Sequence, residues 1–194
     1  MYQTRKPMIK RLFDFALALI LSLAFALPIL MIVVAIRLTS PGQAVYWSQR
    51  VGRNNQLFSM PKFRSMRTDT PAVATHLLEN PDQYITPVGQ FLRKTSLDEL
   101  PQLWSILKGD MSFVGPRPAL YNQDDLVARR TEKGVHVLVP GLTGWAQING
   151  RDELPIPIKV DYDAEYLERR SIVFDMKIIA MTAWKVIRRS GVSH

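Results

Sequence analysis

From Phe15 to Ile36 this chain carries no charged side chain, and fourteen residues of the run are Leu, Ile, Val or Phe. At about 1.5 Å of rise per residue, a helical run of this length covers the roughly 30 Å of a bilayer's hydrocarbon. Those fourteen side chains favour insertion by roughly 4 to 8 kcal/mol. Pro28, near the middle, removes one helical hydrogen bond at a cost of about 3 kcal/mol, so insertion wins. The run is too long for an ordinary signal peptide and lacks a small-residue cleavage site. Arg5, Lys6, Lys10 and Arg11 precede it, and Arg37, Arg50, Arg53, Lys62, Arg64 and Arg67 follow. Positive charge on both flanks assigns neither end to the outside. Two geometries remain: a kinked helix that spans, and a helix bent near Pro28 that enters and leaves by one leaflet.

Thr39-Ser40-Pro41-Gly42 is a turn cluster that closes this segment. We therefore divide the chain into an anchor, residues 1–40, and one compact domain, residues 41–194. With 194 residues and no cysteine, the chain has no disulfide, which suits a reducing compartment. A net charge of +8 points to a polyanionic partner: nucleic acid, anionic lipid or a phosphorylated substrate. His76, His136 and His194 have no metal-ligand spacing, which argues against zinc.

The domain's most informative stretch is LRKTSLDELPQLWSILKGDMSFVGPRP, residues 92–118. Asp98 and Glu99 are adjacent, with Arg93 and Lys94 before them and Lys108 and Arg117 after. Ser96 and Glu99 fit an S-x-x-E capping box, so a helix is expected to begin between Ser96 and Leu100, with Pro101 in its first turn. Leu103, Trp104, Ile106 and Leu107 would form its apolar stripe and Gly109 its stop. The positive end of a helix keeps a carboxylate ionised and attracts phosphate. An ionised Asp can attack phosphorus, and a neighbouring Glu can hold a divalent cation on a diphosphate. Acidic residues in a first turn also serve helix stability alone, so spacing leaves both readings open.

Elsewhere, AVYWSQRVG and QLFSMPKFRSM flank the turn residues Arg53-Asn54-Asn55 and predict a β-hairpin, with Pro61 on an edge strand. Lys62, Arg64 and Arg67 form a basic patch, and residues 69–84 read as a polar surface excursion. Gly115-Pro116-Arg117-Pro118 is a stiff turn that would fix one guanidinium for bidentate phosphate contact. Residues 119–133 read as a solvated helix, and VHVLVPGLTGWAQINGR as a glycine-punctuated loop under the site. Gln147 and Arg151 are candidate nucleotide or sugar contacts, while Trp145 suits core or interface. Residues 160–169 form an acidic helix in which Asp161 could border the pocket. Residues 173–189 are amphipathic, with Ile178, Ile179, Met181, Trp184, Val186 and Ile187 opposed by Lys177, Lys185, Arg188 and Arg189. This fits a helix in the headgroup region or a core helix with a basic outer face.

TSLDELPQLWSILKGDMSFVGPRP resembles the signature of the bacterial sugar transferases, the monotopic phosphoglycosyl transferases. PGLTGWAQINGR and the KRLFD that introduces the apolar run resemble further blocks of that family, in the same order. The resemblance implies a mainly α fold with a small β-hairpin (α+β), held at the membrane by a re-entrant N-terminal helix and interfacial amphipathic helices. One departure is Leu27, where the family usually has Ser before the proline. It further implies transfer of a sugar 1-phosphate from a UDP-sugar, by analogy an N-acetylated amino sugar, to undecaprenyl phosphate with release of UMP. Asp98 would be the nucleophile of a ping-pong reaction, Asp98 and Glu99 would hold Mg²⁺, and Lys62, Arg93, Pro116, Arg117, Gln147 and Arg151 would bind substrate. Single-step transfer, with Asp98 only a metal ligand, is the nearest alternative; a non-catalytic basic membrane module is a remoter one. The expected location is the cytoplasmic face of a bacterial inner membrane, with lipid contacts, no nucleic acid partner, and room for a homodimer. Because the apolar run begins so early, the extra spanning helices of larger family members are not expected.

Overall fold

A computed structural model describes residues 7–70, 80–150 and 154–188. The apolar run forms two helices, α1 (Pro7–Ala24) and α2 (Ala26–Thr39), bent by 61° at Phe25. The break lies one turn before Pro28, not at it. Pro28 has no N–H to offer the carbonyl four residues earlier, Ala24, and its ring crowds that carbonyl. The helix therefore yields at residue 25 and restarts with Pro28 in a first turn, where no intrahelical donor is required. Phe25 donates to the Leu21 carbonyl and accepts from Ile29, both at 2.8 Å, so the bend leaves its own backbone satisfied. No single described helix is long and apolar enough to cross a membrane; the bent pair together meets that test of length and composition.

The first turns of α1 are fastened to the rest of the fold by KRLFD itself. Lys10 Nζ donates to Asp175 Oδ2 at 2.7 Å, and the buried Asp14 accepts from the Phe113 N–H at 3.3 Å. Arg11 donates to the carbonyls of Ile106 and, at 2.5 Å, Leu107. Farther along, Leu17, Ala18 and Leu21 enter the main core with Leu103, Ile106, Met111, Phe113, Phe174 and Ile178.

Strands β1 (Val45–Val51) and β2 (Leu57–Phe63) form the expected antiparallel hairpin, its turn carried by Asn54 and Asn55 at φ of 55° and 59°. Asparagine tolerates that left-handed conformation better than most residues. Pro61 faces Trp47 on the edge strand, where its missing N–H breaks no outer ladder. The third strand of this sheet is β4 (Ala119–Leu120), paired with Val51 and Arg50. The expected helix over 119–133 is thus shorter: α5 is Asp124–Glu132.

Helix α3 is Pro87–Thr95, capped by the Thr86 hydroxyl, which accepts from the Gly89 N–H at 2.9 Å. A turn of 3-10 helix (Leu97–Glu99) and α4 (Gln102–Lys108) follow, and α4 stops at Gly109 with φ of 98°. A second, parallel sheet joins β3 (Ser112–Val114) to β5 (Gly141–Thr143). Helix α6 (Trp145–Ile148), α7 (Ile156–Arg169) and α8 (Ile172–Arg188) complete the described residues. On α8, Phe174 and Ile178 face the core while Val173, Met176, Trp184 and Val186 are exposed. The polar excursion at 69–84 lies mostly outside the described residues.

Candidate active site

The S-x-x-E capping box does not form. Ser96 instead ends α3 in the left-handed conformation, φ of 57°, its N–H bonding the Leu92 and Arg93 carbonyls and its side chain capping nothing. That conformation costs a serine about 1 to 2 kcal/mol, and such cost gathers at functional sites. It turns the chain sharply, so that Asp98 and Glu99 stand at the junction of α3 and α4 rather than inside a sustained helix. The helix-dipole argument therefore gives way, since α4 starts only at Gln102. Side-chain cations stand beside the two acids instead.

Lys62, on edge strand β2, lies 2.9 Å from Glu99 Oε1 and 3.8 Å from Asp98 Oδ2. Arg117 Nη2 lies 3.5 Å from the same Glu99 oxygen. Asp98 is buried, with 8 % of its surface exposed. Burial pulls the Arg93 guanidinium below its ordinary range, while the charges of Asp98 and Asp82 pull it back up. Arg93 is thus electrostatically coupled to Asp98, and its Nη2 approaches Met66 Sδ at 3.7 Å. Lys62 on β2 and Arg117 in the 115–118 turn converge on the two acids, and Arg93 on α3 feels the charge of Asp98. Lys108 does not: it turns to Asp110 at 2.7 Å. Trp104 leaves the expected apolar stripe and is exposed, whereas Leu103 and Ile106 are buried.

The basic patch after the hairpin divides three ways. Lys62 faces the site. Arg64 is buried and structural, donating to the carbonyls of Pro41 at 2.7 Å and Ser40 at 2.9 Å, so it ties the end of α2 to the domain. Arg67 is exposed and paired with Asp69. Gly42 is obligatory beneath Arg64: its φ is +107°, and a Cβ there would meet Arg64 Nη1 at 2.4 Å.

The turn at 115–118 is gripped along its backbone. Gly115 N–H donates to Thr143 O and Gly141 N–H to Pro116 O, both at 2.9 Å. Arg130 Nη1 donates to Arg117 O at 2.8 Å, and Arg50 Nη1 to Pro118 O at 3.3 Å. This explains the glycines of PGLTG: a Cβ on Gly141 would meet Gly115 N at 2.1 Å, and one on Gly144 would meet Gly115 O at 2.1 Å. Pro116 is buried, while Arg117 is partly exposed beside Glu99.

Gln147 lies on α6 with both amide atoms buried and, among the described residues, without a hydrogen-bond partner. Arg151 lies outside the described residues. Asp161 is on the surface with Lys133, and Trp145 packs on Phe174 with its Nε1–H donating to Glu165 at 2.7 Å. That bond, with Arg169, holds the Glu165 carboxyl below its usual range. The described residues contain no group of three metal-ligand side chains. Asp98 and Glu99 are adjacent hard oxygen donors, a pair that would suit Mg²⁺ if phosphate oxygens and water completed the shell.

Residues 5–189 match the family described as bacterial sugar transferase. The UDP-glucose:undecaprenyl-phosphate glucose-1-phosphate transferase of Escherichia coli K12 is 38 % identical, over 92 % of this chain and 40 % of its own length. The undecaprenyl-phosphate galactose phosphotransferase of Salmonella typhimurium is 39 % identical, over 94 % of this chain and 41 % of its own. The uncharacterized sugar transferase EpsL of Bacillus subtilis is 40 % identical, over 96 % of this chain and 91 % of its own. The chain thus spans about two fifths of the first two and nearly all of the third.

Proposed function

This chain belongs to the bacterial sugar transferase family, and on that premise we propose that it moves a sugar 1-phosphate from a UDP-sugar to undecaprenyl phosphate, releasing UMP. The observation that carries this reading is the pair Asp98–Glu99 facing Lys62 and Arg117, with Arg93 coupled to Asp98.

An Asp98 carboxylate oxygen bonds to the sugar-bearing phosphorus, and the bond from that phosphorus to the bridging oxygen breaks. The electron pair leaves with UMP. An oxygen of the lipid phosphate then bonds to the same phosphorus and frees Asp98. Lys62, Arg93 and Arg117 balance the phosphate charge in both steps, where preplaced donors act most strongly. A contact between Gln147 and the donor would require α6 to open its amide, which is buried and unpartnered among the described residues. Mg²⁺ held by Asp98 and Glu99 would supply charge neutralisation on the diphosphate. Splitting the transfer lets a soluble nucleotide and a membrane lipid use one site in turn. The bent α1–α2 pair, entering and leaving the inner membrane from its cytoplasmic face, sets that site at headgroup height.

The test is Asp98→Asn. It is expected to abolish both UMP release and covalent labelling of the protein by a sugar-labelled donor; continued turnover would remove Asp98 as nucleophile. Turnover by the wild type with no trappable label would favour single-step transfer. An N-acetylated amino sugar is the donor we favour, and a panel that includes UDP-glucose and UDP-galactose, the sugars of the relatives' names, decides it.

A further inference from the structure

Arg130 and Asp163 form a buried pair that the reaction itself does not use. Arg130 Nε and Nη2 both donate to Asp163 Oδ2, at 2.9 and 2.7 Å, and Asp163 is only 1 % exposed. Burial pushes the Asp163 carboxyl up, against the pull of Arg130 and Lys159. Such a pair seldom adds stability over an apolar one, so its presence asks for another reason. The third guanidinium nitrogen supplies one, because Arg130 Nη1 donates to the carbonyl of Arg117 at 2.8 Å.

We propose that Arg130, oriented by Asp163, is a positioning residue that holds the Arg117 carbonyl so that the Arg117 guanidinium is aimed at the Asp98–Glu99 pair. The proposal rests on the reading of Arg117 as a phosphate contact. Its geometry is a relay across three elements: Asp163 on α7 fixes Arg130 on α5, and Arg130 fixes the backbone of residue 117. Prolines on both sides restrict that backbone further, so Arg117 can search only through its own side-chain torsions. Lysine in place of Arg130 could reach Asp163 or the carbonyl but lacks the planar fork that engages both at once.

The experiment is a double-mutant cycle with Arg130→Lys and Arg117→Ala on the full chain in lipid discs, read as UMP release from a UDP-sugar. Arg130→Lys alone is expected to lower kcat/KM roughly 10- to 100-fold, the range that misplacement of a positioning group produces, mainly through KM for the donor. In the Arg117→Ala background the same change is expected to do almost nothing further. Equal factors in both backgrounds, or an unchanged KM with activity following the folded fraction, would overturn the proposal. Asp163→Asn is the second variant and should repeat the pattern in weaker form; a drop that is additive with Arg117→Ala would overturn it too. A wild type that releases no UMP from any donor would instead sink the functional reading. The positioning claim then still meets a direct measurement, the ordering of the Arg117 Nε–H by nuclear relaxation. That ordering should fall in Arg130→Lys, and an unchanged value refutes the relay.

Discussion

Replacing Lys10 by Met should destabilise the whole domain although residue 10 lies near the start of the chain. Lys10 Nζ is 2.7 Å from Asp175 and 3.8 Å from Asp14, and these carboxylates are 2 % and 3 % exposed. Among the described residues each has one other partner: Tyr166 donates its hydroxyl to Asp175 at 2.7 Å, and the Phe113 N–H reaches Asp14. Neither of those partners carries charge. Removing one member of a buried pair costs about 3 to 5 kcal/mol. Lys10 retains some exposure, so the lower end applies, about 3 kcal/mol. At about 2 to 4 °C per kcal/mol for a chain of this size, Tm should fall by roughly 6 to 12 °C. Asp175→Asn should cost only about 1 kcal/mol, because the amide oxygen still accepts from Tyr166 and Lys10 keeps Asp14. The double variant Lys10→Met with Asp175→Asn should then be more stable than Lys10→Met alone, one uncompensated carboxylate having gone. Thermal melts followed by near-ultraviolet circular dichroism in detergent would show the order. If Lys10→Met costs no more than Asp175→Asn, the claim that α1 is pinned by charge inside the domain fails.

Gly115→Ala puts a methyl 2.4 Å from Val139 O and 2.9 Å from Gly141 N, both backbone atoms, so we expect a loss of about 1 to 3 kcal/mol and a fall in kcat/KM; wild-type kinetics would contradict the gripped turn. Glu165 has a carboxyl pKa lowered first by its bond from Trp145. Its contribution is therefore complete above the ordinary Glu pKa and lost as pH falls through the lower folded value. Glu165→Gln should flatten that acid limb of stability against pH, and an identical limb would refute the assignment. The chain has no cysteine, so Met8→Cys and Thr39→Cys can each be labelled in sealed vesicles. A re-entrant α1–α2 predicts modification of both from one side, and modification from opposite sides means the pair spans.

What the sequence made legible was local. The hairpin followed from alternation and two asparagines, and the end of α4 from Gly109. Pro28 signalled the bend, but its place at Phe25 needed the further step that proline disturbs the carbonyl four residues back. The capping box at Ser96 and Glu99 misled because each residue had a stronger claim on it: Ser96 ends α3, and Glu99 meets Lys62 and Arg117. Contacts between distant segments were illegible. Lys10 with Asp175, Arg130 with Asp163, and Arg64 with Ser40 and Pro41 show no pattern along the chain. An arginine in sequence reads as surface charge until its partners are placed beside it. Arg50 reads in sequence only as flanking charge, yet it holds the Pro118 carbonyl.

The pinned helix has a consequence for where chemistry occurs. Arg11 binds the carbonyls of Ile106 and Leu107 at the end of α4, and the 3-10 turn just before α4 presents Asp98. From residue 98 to 106 that segment can extend by no more than about 15 Å. Arg11 itself lies just ahead of Phe15, where the uncharged run begins. If that run enters lipid, as we propose, the nucleophile stands within about one short helix of the Arg11 end of α1, the end from which the run departs. Phosphate groups of membrane lipids occupy that level, so the acceptor's phosphate needs little extraction to reach Asp98. A flexible tether between anchor and domain would meet the need for attachment but would not fix this height. Direct packing of α1 against α4 does, and under the proposed function it would make the depth of α1–α2 a determinant of acceptor use.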